Sequence, residues 1–328
     1  MPNLNFSVAL YGTRNAKHSV ELATLADDRG YHKLWVGDSH MIWREVYALL
    51  GAMAVATKKI QIGPGVTHPE TRHFTVTASA MATLNELSDG RAVLGIGVGA
   101  TGPGNIGFKP VSVERLEEVL VLMKKLLAGE SIELDGQTVR CVFASGNPIP
   151  IFIGTRAPRV FQMAARLADG IIYTGDRESM KSLADFVREY SANIGRNPHE
   201  VKIVYRLPCS ISDKPSEARE VVKGKIARTA MTYLGRLHRR GELHDTADQK
   251  AVERLWREYD TYHHMGPEHS HLVRDEWVDR FALAGSGEQV REKVRAILDE
   301  GVDEITIIPF GDEAEVVDRF ANEVMERI

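Results

Sequence analysis

Short apolar runs alternate with amphipathic segments along the whole chain. Eight of these runs are predicted to be strands, because near-continuous Val, Ile and Leu is typical of strands buried on both faces of a parallel sheet. In chain order they are NFSVALY, KLWVGD, KIQIGPGVT, RAVLGIGVG, IPIFIG, DGIIYTG, VKIVYRLPCSI and VDEITIIPF. The segments that follow them have helical apolar spacing and span residues 16–28, 45–57, 74–87, 111–127, 159–167, 179–194, 216–234 and 313–326.

Eight strand–helix units predict an α/β fold, a single closed (β/α)8 TIM barrel over residues 1–328, with an open doubly wound sheet as the alternative. Two segments interrupt the alternation. Residues 130–147 contain an Asp135-Gly136 turn between short β-like runs, which predicts an insertion before strand five. Residues 235–278 are charged and helical in pattern, which predicts a helical insertion between strands seven and eight.

Composition narrows the class of protein. The net charge of −4 gives no indication of a strongly basic face, so we expect no nucleic-acid partner. No apolar run approaches the roughly 20 residues that span a bilayer, so we expect no membrane partner either. The two cysteines, Cys141 and Cys209, are far apart, which fits a reducing cytoplasm. We therefore expect a cytoplasmic protein that acts on a small molecule.

The stretch AVLGIGVGATGPGN contains a literal G-x-G-x-x-G, formed by Gly97, Gly99 and Gly102. In a dinucleotide-binding fold this motif opens a helix whose N-terminus meets the pyrophosphate. Here Pro103 and Gly104 follow at once, and the next helical pattern begins only near residue 111. We therefore expect no helix directly after the motif. The glycines either let a loop pass close to something flat or simply turn a corner.

The stretch IPIFIGTRAPRVFQMAAR predicts a buried strand that ends at Gly154, a short loop, and a helix with Pro158 near its first turn. Free backbone N–H groups at such a helix start form an anion site. Thr155 adds a hydroxyl and Arg156 a positive charge. An ordinary strand-to-helix turn remains the alternative.

Four stretches together resemble the bacterial-luciferase-like superfamily of flavin- and F420-dependent oxidoreductases. They are LWVGDSHMIWREVY, IGPGVTHPETRHFTVTASAMATLNELSDGRAVLGIGVG, IPIFIGTRAPRVFQMAARLADGIIYTG and FALAGSGEQVREKVRAILDEGVDEITIIPFG. The branch most similar contains the methylenetetrahydromethanopterin reductases and the F420-dependent glucose-6-phosphate dehydrogenases. The resemblance implies an eight-stranded barrel that pairs into a homodimer and holds a deazaflavin or flavin at its C-terminal mouth.

The resemblance also implies roles for individual residues. It places a non-proline cis peptide at Gly65-Val66 and implies that the cofactor is bound by Asp38, Gly65, Val66, Thr67, Gly97, Gly99, Gly154, Thr155, Arg156, Ala157 and Thr174. Candidate catalytic residues are His40, Trp43 and Tyr11, and candidate substrate-binding residues are His68, Arg177 and Arg280. The sugar-phosphate dehydrogenases carry a glutamate where this chain has Ala100, so a proton donor must come from elsewhere, such as His40, Tyr11 or His68.

The implied function is hydride transfer between the ring of coenzyme F420, or of FMN, and a small organic substrate, with F420 slightly favoured. Its acidic tail would need basic residues near the rim, for which the candidates are Arg14, Arg44, Arg72 and His73. The alternatives are a monooxygenase that uses reduced FMN and a non-catalytic flavin-binding protein. A metal-dependent hydrolase would use His263, His264, His269 and His271, but their spacing is not diagnostic, and we expect no metal.

Overall fold

The predicted (β/α)8 barrel is confirmed in a computed structural model that describes residues 5–260, 263 and 265–328. Parallel strands run in the order β3-β2-β1-β11-β9-β8-β7-β4, and isolated bridges between Ile62 and Ala92 and between Thr67 and Ile96 join the two ends of this row. The barrel strands are β1 (Asn5–Leu10), β2 (Lys33–Val36), β3 (Gln61–Pro64), β4 (Leu94–Ile96), β7 (Ile151–Gly154), β8 (Gly170–Tyr173), β9 (Lys202–Ile211) and β11 (Glu304–Pro309). They are the eight apolar runs of the sequence.

Helices follow the strands almost where the apolar spacing predicts them. They are α1 (Ala16–Asp28), α2 (Val46–Ala56), α3 (Phe74–Leu87), α4 (Thr101–Asn105), α5 (Val113–Leu127), α6 (Pro158–Leu167), α7 (Arg177–Asn193), α8 (Pro215–Val221), α9 (Lys223–Arg239), α10 (Thr246–Glu258), α11 (Asp275–Phe281), α12 (Gly287–Leu298) and α13 (Glu313–Glu323). The single helix predicted over residues 216–234 is two helices, α8 and α9, which meet at Val222.

The expectation that no helix directly follows the G-x-G-x-x-G motif was wrong. The five-residue helix α4 begins at Thr101, immediately after the motif's second glycine and Ala100. Pro103 is the third residue of this helix, and the first four N–H groups of a helix have no partner within it, so the proline removes no helical hydrogen bond.

Both predicted insertions are present in the fold. The first is an antiparallel hairpin of β5 (Ser131–Leu134) and β6 (Gln137–Arg140), in which Asp135 and Gly136 take φ values of 48° and 77°. Positive φ at both central residues is the signature of a type I′ turn. The second lies after β9, where α9, α10 and α11 pack around a core of their own that includes Tyr233, Trp277 and Phe281.

A short strand that the sequence analysis did not predict, β10 (Leu283–Gly285), pairs with the end of β9 beyond the barrel proper. A 3-10 turn spans Pro267–Leu272, and a second spans Met325–Arg327. Among the helices of the described ranges, none has the length and apolar character needed to cross a membrane.

Side chains fill the barrel interior at the end where the strands begin. There Lys33 and Glu304 form a buried ion pair, to which the Ser7 hydroxyl donates a 2.6 Å hydrogen bond. Above the ion pair, Trp35 and Phe152 pack edge to face with ring centroids 5.4 Å apart. The interior is thus closed below, which leaves the carboxyl ends of the strands for a binding site.

Candidate active site

The carboxyl ends of the strands open into one cleft of about 750 Å³. Strand-end loops form most of its wall, and one face of α9, the first residues of α5 and α6, and Met265 form the rest. Every predicted cofactor-binding residue lies in this wall, namely Asp38, Gly65, Val66, Thr67, Gly97, Gly99, Gly154, Thr155, Arg156, Ala157 and Thr174. Their contact with a cofactor stays a prediction.

Glycines allow the ends of β3, β4 and β7 to approach one another closely. A Cβ atom on Gly97 would lie 2.9 Å from the Gly154 carbonyl oxygen, and one on Gly154 would lie 2.8 Å from Val66 Cγ1. Both contacts are too short for a real side chain, so both positions require glycine. The Gly65–Val66 peptide bond is cis, as the resemblance implies. Backbone rather than side chain therefore forms this part of the wall.

Asp38 lies just beyond β2 and is 8% exposed. Its Oδ2 accepts hydrogen bonds of 2.7 Å from the Thr67 hydroxyl and of 2.7 Å from Arg72 Nη1. Arg72 also donates to Glu45 at 2.6 Å. Burial alone would lower the pKa of Arg72, but the carboxylates of Asp38 and Glu45 raise it overall. Asp38 thus fixes the loop that follows β3 at the edge of the cleft.

Tyr11 and Trp43 form a flat aromatic pair in the wall of the cleft, beyond the ends of β1 and β2. Their rings stack with centroids 4.5 Å apart and planes 16° apart. Gly37 makes room for them, because a Cβ atom there would lie 2.5 Å from Trp43 Cζ3 and 2.8 Å from Tyr11 Cδ1. The Lys225 ammonium lies 5.4 Å from the centre of the Tyr11 ring.

Burial raises the pKa of the Tyr11 hydroxyl, but Lys225 and Arg206 outweigh burial, so that the pKa lies below its ordinary value. For Lys225 itself, burial and then Arg206 lower the pKa, and Tyr11 offsets part of the effect. Tyr11 and Lys225 therefore favour each other's charged forms. A phenol in this setting can give up and regain a proton more readily than an isolated tyrosine.

The structure brings His68, but not His40, into the wall of the cleft. His68 is 3% exposed, and neither of its ring nitrogens has a hydrogen-bond partner among the described residues. Burial lowers its pKa, and Asp38 offsets part of that shift. Two glycines of the motif make room for this ring: a Cβ atom on Gly99 would lie 3.0 Å from His68 Cβ, and one on Gly102 would lie 2.9 Å from Nε2.

The loop between β7 and α6 forms the second end of the cleft. Ala157 precedes α6, no side chain caps the helix, and Pro158 occupies its first turn. The Thr155 hydroxyl accepts a 3.0 Å hydrogen bond from the Ala157 N–H. Burial, and after it Arg236, lowers the pKa of Arg156 to about 10. A part-buried guanidinium beside another guanidinium and a helix start is a setting that favours an anion.

One face of α9 supplies residues that the sequence analysis missed. Residues of this face that line the cleft are Lys225, Arg228, Thr229, Thr232 and Arg236. Their spacing of three, four, seven and eleven residues from the first is the spacing of one helical face. Helical periodicity in the sequence could have grouped them, but only the structure shows that this face turns to the cleft. We call these five residues the α9 face.

Arg206, on β9, is a further residue that was not among the predicted site residues. Its Nη1 donates a 2.6 Å hydrogen bond to the carbonyl oxygen of Gly65, and its Nε lies 3.4 Å from the Thr174 hydroxyl. A charged side chain on a buried strand breaks the apolar run of that strand, which is the signal that sequence reasoning could have used. The arginine ties the cis peptide to the far side of the barrel.

Arg177 and Arg280, predicted to bind substrate, do not line the cleft. They lie in a second, smaller cavity of about 290 Å³ between α7, α11 and α12. Arg177 pairs with Glu300 at 2.8 Å, and Arg280 pairs with Asp176 at 3.0 Å. Their role in binding a substrate stays a prediction, and the geometry places both in ion pairs away from the cleft.

The basic residues expected near the rim each have another partner. Arg14 pairs with Glu313, Arg44 donates to the Thr13 carbonyl, Arg72 pairs with Asp38, and the His73 side chain caps α3. None of these four residues lines the cleft.

The histidine-rich segment forms local contacts. His263 Nδ1 lies 2.7 Å from a carboxylate oxygen of Asp260, and the His269 ring stacks on Tyr259 with centroids 4.1 Å apart. His264 lies outside the described residues. Within the part of the chain that the structure describes, no three metal-ligating side chains converge.

Residues 4–304 match the model of the family described as luciferase-like monooxygenase. The match spans most of the barrel and its cleft, and the chain therefore belongs to the luciferase-like monooxygenase family. Among its relatives, the 5,10-methylenetetrahydromethanopterin reductase of Methanolobus tindarius is 28% identical over 86% of this chain and 87% of the reductase. The F420-dependent glucose-6-phosphate dehydrogenase of Nocardia farcinica is 25% identical over 94% of this chain and 93% of its own.

The barrel fold is shared with solved structures. The coenzyme F420-dependent tetrahydromethanopterin reductase from Methanopyrus kandleri superposes with a TM-score of 0.84, covering 98% of this chain and 99% of that one. The two sequences are 22% identical in this alignment, so the similarity concerns the fold.

Proposed function

We propose that the chain is an F420-dependent oxidoreductase that moves a hydride between the deazaflavin ring and a small organic substrate. The proposal rests on one observation. The chain has a cleft lined by glycines at the strand ends, and the relatives that match most of its length are named as methylenetetrahydromethanopterin reductase and F420-dependent dehydrogenase. The F420 ring, when bound, supplies hydride chemistry at its C5 position. The residues of the chain bind, orient and exchange protons.

The wall of the cleft fits a flat ring. Gly97 and Gly154 let the ends of β4 and β7 approach each other closely, with Val66 against both, so backbone forms a flat part of the wall. Gly65, Thr67 and Thr174 line the same cleft. These residues would hold the ring, and Asp38 would act through its bonds to Thr67 and Arg72.

The loop after β7 would hold the cofactor phosphate. Arg156, the N–H groups at the start of α6 and the Arg236 guanidinium converge there, and Arg236 Nη1 donates to the Arg156 carbonyl at 3.1 Å. A phosphate would offset the burial that lowers the pKa of Arg156. This is the physical reason to place an anionic group at this end.

Tyr11 is the proton donor that the geometry supports best. Its hydroxyl faces the cleft beside Lys225, whereas His40 lies outside the wall and the His68 ring nitrogens are buried. As hydride reaches the substrate carbon, Tyr11 would give its proton to the neighbouring heteroatom, and it would accept that proton in the reverse direction. Trp43 would hold the Tyr11 ring in place by stacking.

A monooxygenase that uses reduced FMN is the second candidate, because the matched family is described as luciferase-like monooxygenase. The same flat backbone wall suits an isoalloxazine ring. A non-catalytic flavin-binding protein would show cofactor binding with no turnover.

An anaerobic titration with F420 and FMN, each oxidised and reduced, tests the proposal. We expect micromolar binding of F420 and much weaker binding of FMN. Tight binding of FMN alone would replace the proposal with the monooxygenase or the flavin-binding protein, and oxygen consumption separates those two. Binding of neither would refute the cofactor assignment.

A matched pair of variants locates the phosphate in the same titration. Arg156→Met should weaken F420 binding at least tenfold, because the part-buried positive charge that faces the phosphate is lost. Arg159→Met is the control, since Arg159 is exposed at the cleft edge and pairs with Glu114 at 2.9 Å. Equal losses in both variants would contradict the assignment of the phosphate to Arg156.

The proposal extends to assembly and location. We propose a homodimer, in line with the resemblance, and a cytoplasmic location. Cys141 and Cys209 are both free thiols, which supports a reducing compartment.

A further inference from the structure

The cleft contains more positive charge than its own carboxylates balance. Its basic wall residues are Arg156, Arg159, Arg206, Lys225, Arg228 and Arg236, and its acidic ones are Asp38 and Glu114. Glu114 pairs with Arg159, and Asp38 pairs with Arg72 outside the wall. Among the described residues, the other five basic side chains form no ion pair with a carboxylate.

The α9 face carries this excess charge across the mouth of the barrel. Lys225 lies at Tyr11, next to β1, whereas Arg236 and Thr232 contact Arg156, next to β7. In the barrel order β1 and β7 stand on opposite sides. Eleven residues of helix separate Lys225 from Arg236, a rise of about 16 Å. One phosphate cannot reach both ends of this face.

The two ends of the α9 face differ in how their polar groups are satisfied. At the β7 end, Thr232 accepts a 3.3 Å hydrogen bond from Arg156, and Arg236 donates to the Arg156 carbonyl. At the β1 end, Lys225 and Arg228 are part-buried within the cleft. Burial lowers the pKa of Lys225 and that of Arg228, and phenol hydroxyls offset only part of each shift. Even partial burial of a cation without an anion costs free energy.

The phosphate of F420 is a diester, and Arg156 and Arg236 match it at the β7 end. The acidic tail is joined to the ring through this phosphate and follows it at the β7 end, so Lys225 and Arg228, at the opposite end, remain for a second anion. The stacked rings of Tyr11 and Trp43 lie beneath Lys225 and offer a flat apolar wall. A planar carboxylate suits the fork of an arginine beside a point-charge ammonium.

We propose that Lys225 and Arg228 form a carboxylate site at the β1 end of the cleft, so that the substrate is a small organic acid. The identification of the bound acid as the substrate rests on the proposed function, whereas the anion site itself does not. The acid's carboxylate lies between Lys225 and Arg228, and its body packs on the Tyr11–Trp43 pair.

Calorimetric titration with benzoate and with its neutral analogue benzamide tests the site, on the protein alone and in the presence of F420. Benzoate is expected to bind at least tenfold more tightly than benzamide. Equal affinities, or no binding of either at millimolar concentration, would overturn the proposal.

Substitutions of Lys225 and Arg228 test whether benzoate binds at the β1 end. Lys225→Met should weaken benzoate binding at least tenfold and change benzamide binding less than twofold, and Arg228→Gln should act in the same direction. Lys223→Met is the matched control, because Lys223 lies on the same helix but pairs with Glu220 at 2.8 Å and Asp275 at 2.9 Å. Circular dichroism confirms that each variant is folded. Benzoate binding that survives both the Lys225 and the Arg228 changes would overturn the proposal.

The same titrations separate this site from the cofactor proposal. Preference for benzoate without F420 binding would support the carboxylate site and refute the proposed cofactor. F420 binding without preference for benzoate would support the proposed cofactor and overturn the carboxylate site.

Discussion

Opposing influences act on the Tyr11 hydroxyl, and they can be separated by titration. Burial raises its pKa, and the nearby positive charges of Lys225 and Arg206 lower it below the ordinary value. In Lys225→Met the lowering charge is lost while burial remains, so the pKa should rise. The ultraviolet absorbance of tyrosinate against pH, taken as wild type minus Tyr11→Phe, measures the shift.

Lys223→Met controls for loss of a positive charge on the same helix and should leave the titration unchanged. A Tyr11 titration that is the same in wild type and Lys225→Met would show that Lys225 does not set this pKa.

Catalysis gives a second prediction for Tyr11. Removal of a general acid usually costs roughly 10²- to 10⁴-fold in rate. Tyr11→Phe should therefore lower kcat by about that factor and leave the affinity for F420 within twofold. Once a substrate is known, steady-state kinetics and cofactor titration measure the two quantities. A loss of affinity with unchanged kcat would instead make Tyr11 a binding residue.

The Lys33–Glu304 ion pair predicts a stability effect far from the cleft. The two side chains are 6% and 2% exposed, and Ser7 donates to Glu304 at 2.6 Å. Lys33→Met leaves a buried carboxylate without its counter-charge, which should lower the free energy of unfolding by about 3–5 kcal/mol. Urea denaturation measures this change in the free energy of unfolding. The double variant Lys33→Met/Glu304→Leu should recover most of the loss, and a double variant as unstable as the single one would contradict this account.

Individual site residues were predictable to very different degrees. Gly65, Val66 and Arg156 lie in stretches with strong family resemblance, and all three line the cleft. Lys225 and Arg228 lie on a helix with little distinctive sequence, so nothing along the chain indicated that they face the cleft. Long-range placement of this kind depends on how α9 crosses the barrel, which local pattern does not encode.

At the scale of elements, the turn between β4 and α4 provides a matched pair of glycines. A Cβ atom on Gly97 would lie 2.9 Å from the Gly154 carbonyl oxygen, whereas one on Gly104 would have no atom within 4 Å. Gly97→Ala should therefore push β4 from β7 and weaken F420 binding at least tenfold. Gly104→Ala, in the short helix α4, should leave binding unchanged. Fluorescence titration with F420 measures the affinity of both variants. Equal effects would contradict a role for the close approach at Gly97 in binding the ring.

Strands were easier to predict than the short elements between them. The barrel strands are buried on both faces, so each leaves a continuous apolar run in the sequence. By contrast β10 has three residues and α4 has five, including Pro103 and two glycines. Their formation depends on pairing with β9 and on packing against His68, which are tertiary contacts that no local pattern reports.

At the scale of the whole molecule, the outer surface of α2 and α3 carries an unusual apolar face. No residue of α2 is charged, and the two helices pack side by side. Val55 on α2 is 71% exposed, and on α3 Val76 is 53% and Leu87 is 44% exposed. Exposed apolar side chains on neighbouring helices are typical of an interaction surface. A helix without charged residues, such as α2, can pair with its own copy across a two-fold axis, so we expect the proposed homodimer to form here.

Val55→Asp should convert the dimer to a monomer, because two desolvated carboxylates would face each other across the axis. Val142→Asp is the control, since Val142 is 84% exposed on the loop after β6 and belongs to neither α2 nor α3. Sedimentation equilibrium of the wild type and both variants measures the mass in solution. A wild-type monomer would refute the dimer itself. A dimer that persists in Val55→Asp would place its interface elsewhere, and dissociation of Val142→Asp alone would move it to the hairpin side of the barrel.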